Sequence, residues 1–353
     1  MLFSAKLKGF YVEHGADTVL IARTSAAAVP LVVEDMRECA ANDPAALAEA
    51  IKQLQSKRSP SGYLHACCGV YPAKRLIRRT SLEVKRVKDP TYFPEILTQQ
   101  FRVEPEKYTT IVLNAGDGAE FDPNRPAPQK EVIIAGMPSD EVLSIQDKLL
   151  EGEIYPERLE LGSIALLGAL VDYLAFKKEK TPVLVLEIGA DVTHAYIVSS
   201  AGVEASRPIP QGIEAMVPVV QKELGLKDEA SARKLFYSES FDFASMGPAL
   251  VRRLLKELQS YIGFYEVQTG QSVGLLLNAL LPANMAWLDG AIASSLGVAP
   301  LKLELASWLQ SRQITLADPV QKTMQTRGFG LLSLMVNYNA ATPAPHGVAE
   351  KKA

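Results

Sequence analysis

The chain has 353 residues, a net charge of -3, 48% hydrophobic residues and 22% charged residues. This length suits two domains better than one, and the composition excludes a wholly disordered chain. The small net charge gives no overall attraction to nucleic acid or anionic lipid. No apolar run reaches the roughly 20 residues that span a bilayer, and the first residues lack the pattern of a signal peptide. We therefore expect a cytoplasmic protein that binds no nucleic acid and does not insert directly into a membrane.

The number and spacing of the cysteines and histidines do not predict a metal site or redox chemistry. Cys67 and Cys68 are adjacent, but Cys39 stands alone and no second pair completes a zinc set. The odd number and the strand-like surroundings indicate buried thiols in a reducing compartment. His14 and His194 have no cluster of Cys, His or Asp at ligand spacing beside them, so no metal site is predicted.

The first half of the chain predicts alternating strands and helices. A β-hairpin is expected over 8–24, and Asp43 followed by Pro44 predicts the start of a helix. Strands are expected at 63–70 and 76–87, and the second of these is rich in Arg and Lys. This basic strand is interpreted either as a solvated sheet edge, where lysines discourage pairing, or as a surface for an anionic partner.

A small α+β unit is predicted to interrupt the first half. Its elements are a helix at 93–101, a strand at 109–113, a turn at 116–118 and an extended loop at 122–128. The chain then predicts a buried strand at 131–136 and a helix capped by Ser139. A strand beginning at 158 and an apolar helix at 164–176 complete this half.

The second half predicts the same kind of alternation, so the fold class is α/β. Strands are expected at 183–186, 195–198, 203–208, 273–278 and 300–305. Helices are expected at 213–224, 227–236, 248–268, 285–296 and 329–336. The Ala/Thr/Pro/Lys composition from 339 onward predicts a disordered tail.

A five-residue phrase occurs twice, at 13–17 and at 187–191. Glu13-His14-Gly15-Ala16-Asp17 and Glu187-Ile188-Gly189-Ala190-Asp191 each lie between two apolar runs. An apolar run, a turn that contains glycine and a second apolar run predict a β-hairpin. The repetition half a chain apart predicts two homologous lobes that face one another across a cleft.

The chain resembles the actin-like ATPase superfamily, and within it the PilM family of type IV pilus assembly proteins, whose fold is similar to that of FtsA. The resemblance covers 10–336 and rests on the two hairpins, the insertion, the run 139–175 and the stretch 207–214, in the family's order. It implies a duplicated, ribonuclease H-like two-lobe fold. The first lobe would comprise 1–81 and 131–180, the inserted subdomain 82–130, the second lobe 181–338 and the tail 339–353.

The resemblance also implies a site for ATP and Mg²⁺ between the lobes. Glycine-containing turns present backbone N–H groups to phosphate oxygens, and an acidic residue before each glycine would position Mg²⁺ or the attacking water. The catalytic candidates are Glu13 and Glu187. The cofactor-binding residues implied are those of the two loops and the glycine that follows the second hairpin: Gly15, Ala16, Asp17, Thr18, Gly189, Ala190, Asp191, Thr193 and Gly212.

Two departures from the family pattern predict a degenerate nucleotide site. Glutamate replaces the family's aspartate at 13 and 187, and the extra methylene would shift each carboxylate by roughly an ångström, which catalytic geometry tolerates poorly. After the strand at 273–277 the family has a glycine-rich turn around the adenosine, whereas 278–284 here contains no glycine. The alternative interpretation of Glu13 and Glu187 is that both are turn residues without a ligand, and Asp17, Asp191 and Thr193 are interpreted as side chains that bond nearby backbone.

The favoured function is a cytoplasmic scaffold of a type IV pilus or related secretion machine. The resemblance implies that it docks the short cytosolic tail of a PilN-like membrane protein near the basic strand 78–88, at the inner face of the membrane, beside other pilus assembly components. Self-association is left open. The alternative is an active Mg-ATPase of the actin-like family that polymerises. A small-molecule kinase ranks last because no catalytic Asp with a sugar-binding stretch is found.

Overall fold

The computed structural model describes residues 8–55, 61–124, 130–238, 240–281, 283–321 and 328–340. The chain divides into two compact units. The first comprises Met1–Val70, Lys148–Ala169 and Glu304–Ala353, and the second comprises Tyr71–Asp147 and Leu170–Leu303. The predicted tail lies outside the described residues, except for Asn339 and Ala340, which end the last described helix.

A six-stranded sheet forms the centre of the first unit, in the order β14-β3-β2-β1-β4-β8. Strands β1, β2 and β3 form an antiparallel meander, and β4 and β8 extend the sheet in parallel from β1. The short β14 runs parallel to β3 at the other edge. The strands are β1 Gly9–His14, β2 Thr18–Thr24, β3 Leu31–Ala40, β4 Leu64–Val70, β8 Ile154–Leu161 and β14 Ile314–Leu316.

Helices α1 (Pro44–Leu54) and α11 (Phe329–Ala340) pack on this sheet. Helix α1 begins where the sequence predicts, because the Asp43 side chain accepts a hydrogen bond from the Ala46 N–H and Pro44 takes the first helical position. Buried leucines of α11 lie against β4, and an added Cβ on Gly69 would fall 2.8 Å from the Leu334 side chain. The unit also contains α10 (Leu305–Ser311).

The second unit has a five-stranded sheet with the same connectivity, in the order β11-β10-β9-β12-β13. Strands β9, β10 and β11 form an antiparallel meander, and β12 and β13 follow in parallel from β9. The strands are β9 Val183–Ile188, β10 Thr193–Ser199, β11 Gly202–Ile209, β12 Leu275–Ala279 and β13 Ala299–Pro300. The prediction that the second half repeats the order of the first is confirmed at the level of sheet topology.

Helices pack on the five-stranded sheet and form a continuous apolar core with it. Helix α8 contributes its buried stripe of Leu254, Leu258, Tyr261 and Tyr265, at the near-four spacing of the sequence. The helices are α5 Val217–Glu223, α6 Glu229–Phe236, α7 Gly247–Leu250, α8 Arg252–Thr269 and α9 Trp287–Leu296. Helices α3 (Ser139–Glu151) and α4 (Gly162–Lys177) each begin in one unit and end in the other.

A separate three-stranded antiparallel sheet belongs to the second unit, in the order β5-β7-β6. Its strands are β5 Leu76–Ser81, β6 Tyr108–Asn114 and β7 Glu131–Pro138. Helix α2 (Tyr92–Glu95) and a π-helical turn at Ile96–Gln100 cover one face with a small apolar core. The sheet therefore takes in strands on both sides of the 82–130 range expected for the inserted subdomain.

Several predicted strands are wrong in extent, and the strands β3 and β14 were missed. The basic strand ends at Ser81 rather than at 87, because Leu82 and Val87 anchor a turn in the small core instead of continuing the pairing. The strand expected at 300–305 is wrong beyond Pro300, because Leu305, Trp308 and Leu309 have helical spacing and begin α10.

Strand β3 is not apparent in the sequence because charged residues interrupt its apolar pattern. Two of these pair with residues on the same sheet. Glu34 accepts a hydrogen bond from Arg23 on the neighbouring β2, and Asp35 pairs with Arg37 on β3 itself. Charge pairing across a sheet surface allows such a strand to form without an alternating apolar face.

The three cysteines are buried free thiols, as predicted. Burial raises the pKa of Cys68 to about 12, which makes its thiolate a negligible species near neutral pH. Among the described residues, no group of His, Cys, Asp and Glu could hold a metal ion. None of the helices in the described part of the chain is both long and apolar enough to cross a membrane.

Candidate functional site

The first repeated phrase forms a tight turn between β1 and β2. His14 pairs with Val19, and the Gly15 N–H donates to the Thr18 carbonyl over 2.9 Å. Three consecutive residues, Ala16, Asp17 and Thr18, form the exposed tip. The Asp17 carbonyl accepts a hydrogen bond from the Ala41 N–H. Because the C=O and N–H of a trans peptide point in opposite directions, the Thr18 N–H points away from this support.

The second repeated phrase forms the same turn between β9 and β10. Ile188 pairs with Thr193, and the Gly189 N–H donates to the Val192 carbonyl over 3.0 Å. Gly189, Ala190 and Asp191 are exposed. The two copies of the phrase therefore form turns with the same hydrogen bond. In each, a glutamate lies two residues before the glycine. The turns lie in different compact units, and the cleft expected between them stays a prediction.

Residues 211–214 support the second turn from one side. The Ile213 N–H donates to the Gly189 carbonyl and the Glu214 N–H to the Ala190 carbonyl, each over 2.9 Å. These bonds turn the N–H groups of Ala190 and Asp191 to the opposite side, which is exposed. Successive outward N–H groups of this kind can hold an anion such as a phosphate.

Gly212 is required for this close approach of two backbone segments. A Cβ at position 212 would lie 2.2 Å from the Ala190 carbonyl oxygen and 2.5 Å from that of Gly189. Thr193 adds a second connection, because its hydroxyl donates to the Gln211 carbonyl over 2.6 Å. Thr193 therefore bonds nearby backbone, as the sequence interpretation has it, and Gly212 belongs to the same local structure as Gly189 and Ala190.

Glu187 is held by a buried arginine that the sequence analysis did not identify. Arg75 Nη2 donates to Glu187 Oε2 over 2.5 Å, and the side chains are only 6% and 2% exposed. The Tyr196 hydroxyl donates to the same oxygen over 3.3 Å. Arg75 is fixed in turn, because its Nη1 donates to the Pro72 carbonyl over 2.8 Å. The carboxylate that the family resemblance assigns to Mg²⁺ or water is thus neutralised within the protein.

The electrostatics around this pair are consistent with its geometry. Burial disfavours the charge of Arg75, but the adjacent Glu187 carboxylate outweighs burial and raises the pKa of the guanidinium. Burial, together with the Glu187 carboxylate, raises the pKa of Tyr196, so this phenol remains a hydrogen-bond donor. The only sequence signal for this cluster is the position of Arg75 just before the basic strand, where it was counted with the other arginines.

His194 lies beside the same cluster as a neutral imidazole. Burial, together with the charges of Arg75 and Arg78, lowers its pKa to about 3 although it has a hydrogen bond to the Ala73 backbone. Its Nε2 has no partner among the described residues. His194 therefore stays uncharged near neutral pH.

Glu13 and His14 occupy the corresponding positions before the first turn. Glu13 is buried, with 4% of its surface exposed. His14 is partly buried, and its Nδ1 lies 3.1 Å from the Gly15 carbonyl. Burial lowers the pKa of His14. The first turn therefore has the same buried glutamate as the second.

The segment after β12 contains a residue in a backbone conformation that favours glycine. Leu280 has a φ of 66°, in the left-handed region that favours glycine, and its side chain is 40% exposed. Asn278 donates to the Asp289 carboxylate over 2.6 Å, and Asn284 donates to the Tyr237 carbonyl over 3.1 Å. Leu280 therefore places a branched side chain in a backbone conformation that usually holds glycine.

The basic stretch at 78–88 contains both paired arginines and exposed lysines. Arg79 donates to Glu131 and to the Val203 carbonyl, and Arg86 pairs with Glu95. Lys85 and Lys88 are exposed on the turn that follows β5. The stretch therefore combines ion pairs with solvated lysines, and tail docking near it stays a prediction.

Comparison with solved structures identifies the fold. The structure is similar over nearly its whole length to the PilM-PilN type IV pilus biogenesis complex, with a TM-score of 0.65, 16% identity, and 95% of this chain and 99% of that chain covered. An actin-like ATPase-fold protein of unknown function from Bacteroides thetaiotaomicron matches with a TM-score of 0.44 and 9% identity, covering 95% of this chain and 98% of that one.

The cytoplasmic domain of EpsL, an inner membrane component of the Vibrio cholerae type II secretion system, has a TM-score of 0.39 and 11% identity, covering 82% of this chain and 95% of that domain. By sequence, the chain matches no protein-family profile and no characterised protein. The class of the protein is nevertheless defined. The chain has the actin-like fold, as the sequence resemblance predicts, and it is similar in structure to PilM.

Proposed function

We propose that this protein is a cytoplasmic actin-like scaffold of a type IV pilus or related secretion machine, with a degenerate nucleotide site. It would dock the cytosolic tail of a PilN-like membrane protein at the inner face of the membrane, beside other assembly components. The similarity of the whole chain to the PilM-PilN complex supports the scaffold and its partner class. The observation that carries the degenerate site is the buried contact between Arg75 and Glu187.

The physical argument starts from the charge that Mg²⁺ requires. A magnesium ion at an ATP site is bound through one or two carboxylates together with phosphates and waters. The Glu187 carboxylate already has a cation against one oxygen, and that cation is anchored to the Pro72 carbonyl. Binding Mg²⁺ through Glu187 would require Arg75 to move and leave a buried guanidinium without its partner, which is costly.

The remaining elements of the site support phosphate contact more than catalysis. The outward N–H groups of Ala190 and Asp191 retain the anion-binding arrangement, and Gly212 keeps the supporting segment close. Leu280 projects from the turn that the family resemblance assigns to adenosine. We therefore expect at most weak, Mg²⁺-independent contact with phosphate groups.

Calorimetric titration of the full chain with ATP tests the degenerate site, in parallel with and without Mg²⁺. We expect no heat that depends on Mg²⁺, and the same result for Glu187→Gln. Mg²⁺-dependent binding that is lost in Glu187→Gln would overturn this part of the proposal. It would favour the alternative, an active Mg-ATPase that polymerises, which light scattering with ATP would then show.

A separate experiment tests the partner. Labelled peptides that carry the first residues of a one-pass membrane protein encoded beside this chain are titrated by fluorescence anisotropy, with a scrambled peptide as the control. Saturable binding of the native order alone supports tail docking. Equal binding of both peptides, or none at high micromolar protein, removes the PilN-like partner from the proposal but leaves the nucleotide prediction in place.

A further inference from the structure

The three-stranded sheet has one occupied edge and one open edge. On the β5 side, the Arg79 N–H donates to the Ser206 hydroxyl over 3.2 Å, and Arg79 Nη1 donates to the Val203 carbonyl over 2.9 Å. That edge therefore lies against β11 and cannot receive another strand. On the β6 side, no described strand pairs with the outer edge of Tyr108–Ile111.

The backbone direction of β6 follows from bonds at its end. The Asn114 N–H donates to Ala119, and the Val112 carbonyl accepts from Phe121, both on the side away from β7. By contrast, the Ala115 N–H donates to Glu131 at the start of β7. Since successive residues of a strand alternate in direction, even-numbered positions of β6 point outward.

This alternation identifies the backbone groups available for pairing. The Tyr108 N–H is already bonded to the Pro105 carbonyl. The outward groups left from Tyr108 to Val112 are the Tyr108 carbonyl, both the N–H and the carbonyl of Thr110, and the Val112 N–H. They have the spacing that an antiparallel or parallel strand needs to add to the sheet.

The side chains of β6 do not protect this edge. Edge strands are usually blocked by charged residues, proline or a bulge, as at the β8 edge of the other sheet, which contains Pro156. The exposed part of β6 is Thr109, Thr110 and Ile111, with no charge and no proline. Ile111 keeps 43% of its surface exposed, which leaves an apolar position open for a cross-strand neighbour.

Carboxylates flank the open edge at both ends. Exposed Asp117 and Glu120 lie in the turn after β6. At the other end, Tyr108 pairs with Pro138 and Thr109 Oγ1 lies 3.1 Å from Ser139 Oγ, so Asp140 and Glu141, which follow Ser139, lie near the start of the strand. An extended segment that carries positive charges on either side of an apolar residue would complement this arrangement.

We propose that the outer edge of β6 is a docking site for an extended protein segment that adds a strand to the sheet. The segment places an apolar side chain beside Ile111 and Lys or Arg side chains against the flanking carboxylates. Backbone bonds to Tyr108 and Thr110 supply the register. The inference does not depend on the tail-docking proposal, since either surface can exist without the other.

A capped six-residue peptide of alternating Val and Lys is the probe, titrated into the full chain by fluorescence anisotropy. The matched control peptide has Glu in place of each Lys. The variant Thr110→Pro removes only the outward N–H, because the bonds of β6 to β7 come from odd-numbered residues, and proline is tolerated at such edge positions. Thr110→Val is its control, since it keeps the N–H and suits a strand.

We expect binding of the Lys peptide that weakens with salt, at least about tenfold weaker binding to Thr110→Pro, and unchanged binding to Thr110→Val. Methylation of the peptide N–H groups on one edge should cause a similar loss with the unaltered protein, which covers the case of a proline variant that does not fold. Equal binding of all variants and methylated peptides would overturn the proposal, and so would no binding of the Lys peptide.

Hydrogen exchange of the Thr110 amide gives an independent readout. In the free protein this amide should exchange quickly and become protected when the Lys peptide binds. If it is already protected in the free protein, another part of the chain covers the edge and the proposal is wrong. The tail peptide of the membrane protein, added as a competitor, shows whether the two docking events share this edge.

Discussion

Arg75 donates a 2.5 Å hydrogen bond to Glu187, and neither side chain has more than 6% of its surface exposed. Glu187 lies two residues before the second turn glycine, at the position where the family resemblance places an acidic residue for Mg²⁺. The arginine therefore supplies permanently, from within the chain, the positive charge that a magnesium ion would bring. The ion pair therefore supports the proposal of a degenerate nucleotide site, and the predictions below test it.

The first prediction concerns the stability of this ion pair. In Arg75→Met, the Glu187 carboxylate stays buried without its cation, so we expect a loss of about 3 kcal/mol in the free energy of unfolding. In Arg75→Met/Glu187→Gln no buried charge is left, and the amide oxygen can still accept from Tyr196. Most of the lost stability should return. Urea denaturation of the three proteins measures this, and a single variant as stable as the parent would contradict it.

The second prediction concerns the pH dependence that His194 imposes. Its pKa is about 3 in the folded chain against an ordinary value of 6.5, so the unfolded chain binds the proton more tightly. The contribution of the neutral His194 ring to the free energy of unfolding is therefore fully present above pH 6.5 and is lost as the pH falls toward 3. Between pH 7 and pH 5, the parent should lose about 2 kcal/mol relative to His194→Gln.

Denaturation curves for both proteins at several pH values check this. Above pH 7 the difference in stability between the two should not change with pH, which serves as the internal control. A constant difference across the whole range from pH 7 to pH 5 would show that His194 has the same pKa in the folded protein as in the unfolded chain, so that burial does not lower it.

The third prediction concerns the left-handed conformation of Leu280. A side chain at this φ costs roughly 1–2 kcal/mol relative to glycine, and the leucine is 40% exposed, so its removal loses less burial than the removal of a core leucine. We expect Leu280→Gly to raise the free energy of unfolding by about 1 kcal/mol. Leu281→Gly, at the next residue, which packs against the core, should lower it instead. A loss of stability in both variants would show that the Leu280 side chain makes contacts that outweigh its backbone strain.

Sequence patterns were sufficient for most of the fold. Apolar periodicity, the cap at Asp43 and the repeated hairpins predict the order of strands and helices, and the repetition predicts the shared topology of the two sheets. Local patterns did not predict the strands correctly where ion pairing or burial in a separate core determined the structure. Strand β3 was not predicted because charged residues that form ion pairs, such as Glu34 with Arg23, interrupt its apolar pattern. The strand β5 was predicted to be too long because Val87 is apolar and buried although it lies in a turn.

The candidate site was predictable only in its backbone. The two turn glycines are marked by the repeated phrase, and Gly212 by the family resemblance after the second hairpin. The contact between Arg75 and Glu187 spans 112 positions, and no property of either residue type specifies the other. The open edge of β6 could not be predicted from the sequence either, because the pattern of a strand does not determine which strands pair with it.

The last prediction concerns Gly212. Because it has no Cβ, the segment 211–214 can approach the second turn closely enough to bond to it. In Gly212→Ala the new Cβ would fall 2.2 Å from the Ala190 carbonyl oxygen and 2.4 Å from its carbon. Both atoms are backbone and cannot rotate away, so the turn or the supporting segment must shift and the bonds from Ile213 and Glu214 must lengthen. We expect a loss of about 2 kcal/mol or more in the free energy of unfolding.

Gly263 offers the matched control for that variant. It lies within α8, and a Cβ there would meet no atom within 4 Å. Gly263→Ala should therefore stabilise the protein by roughly 0.5–1 kcal/mol, the helix preference of alanine over glycine. Urea denaturation of the two alanine variants beside the parent separates the effects. If Gly212→Ala is as stable as the parent, the second turn tolerates displacement and its backbone N–H groups are not held in place by residues 211–214.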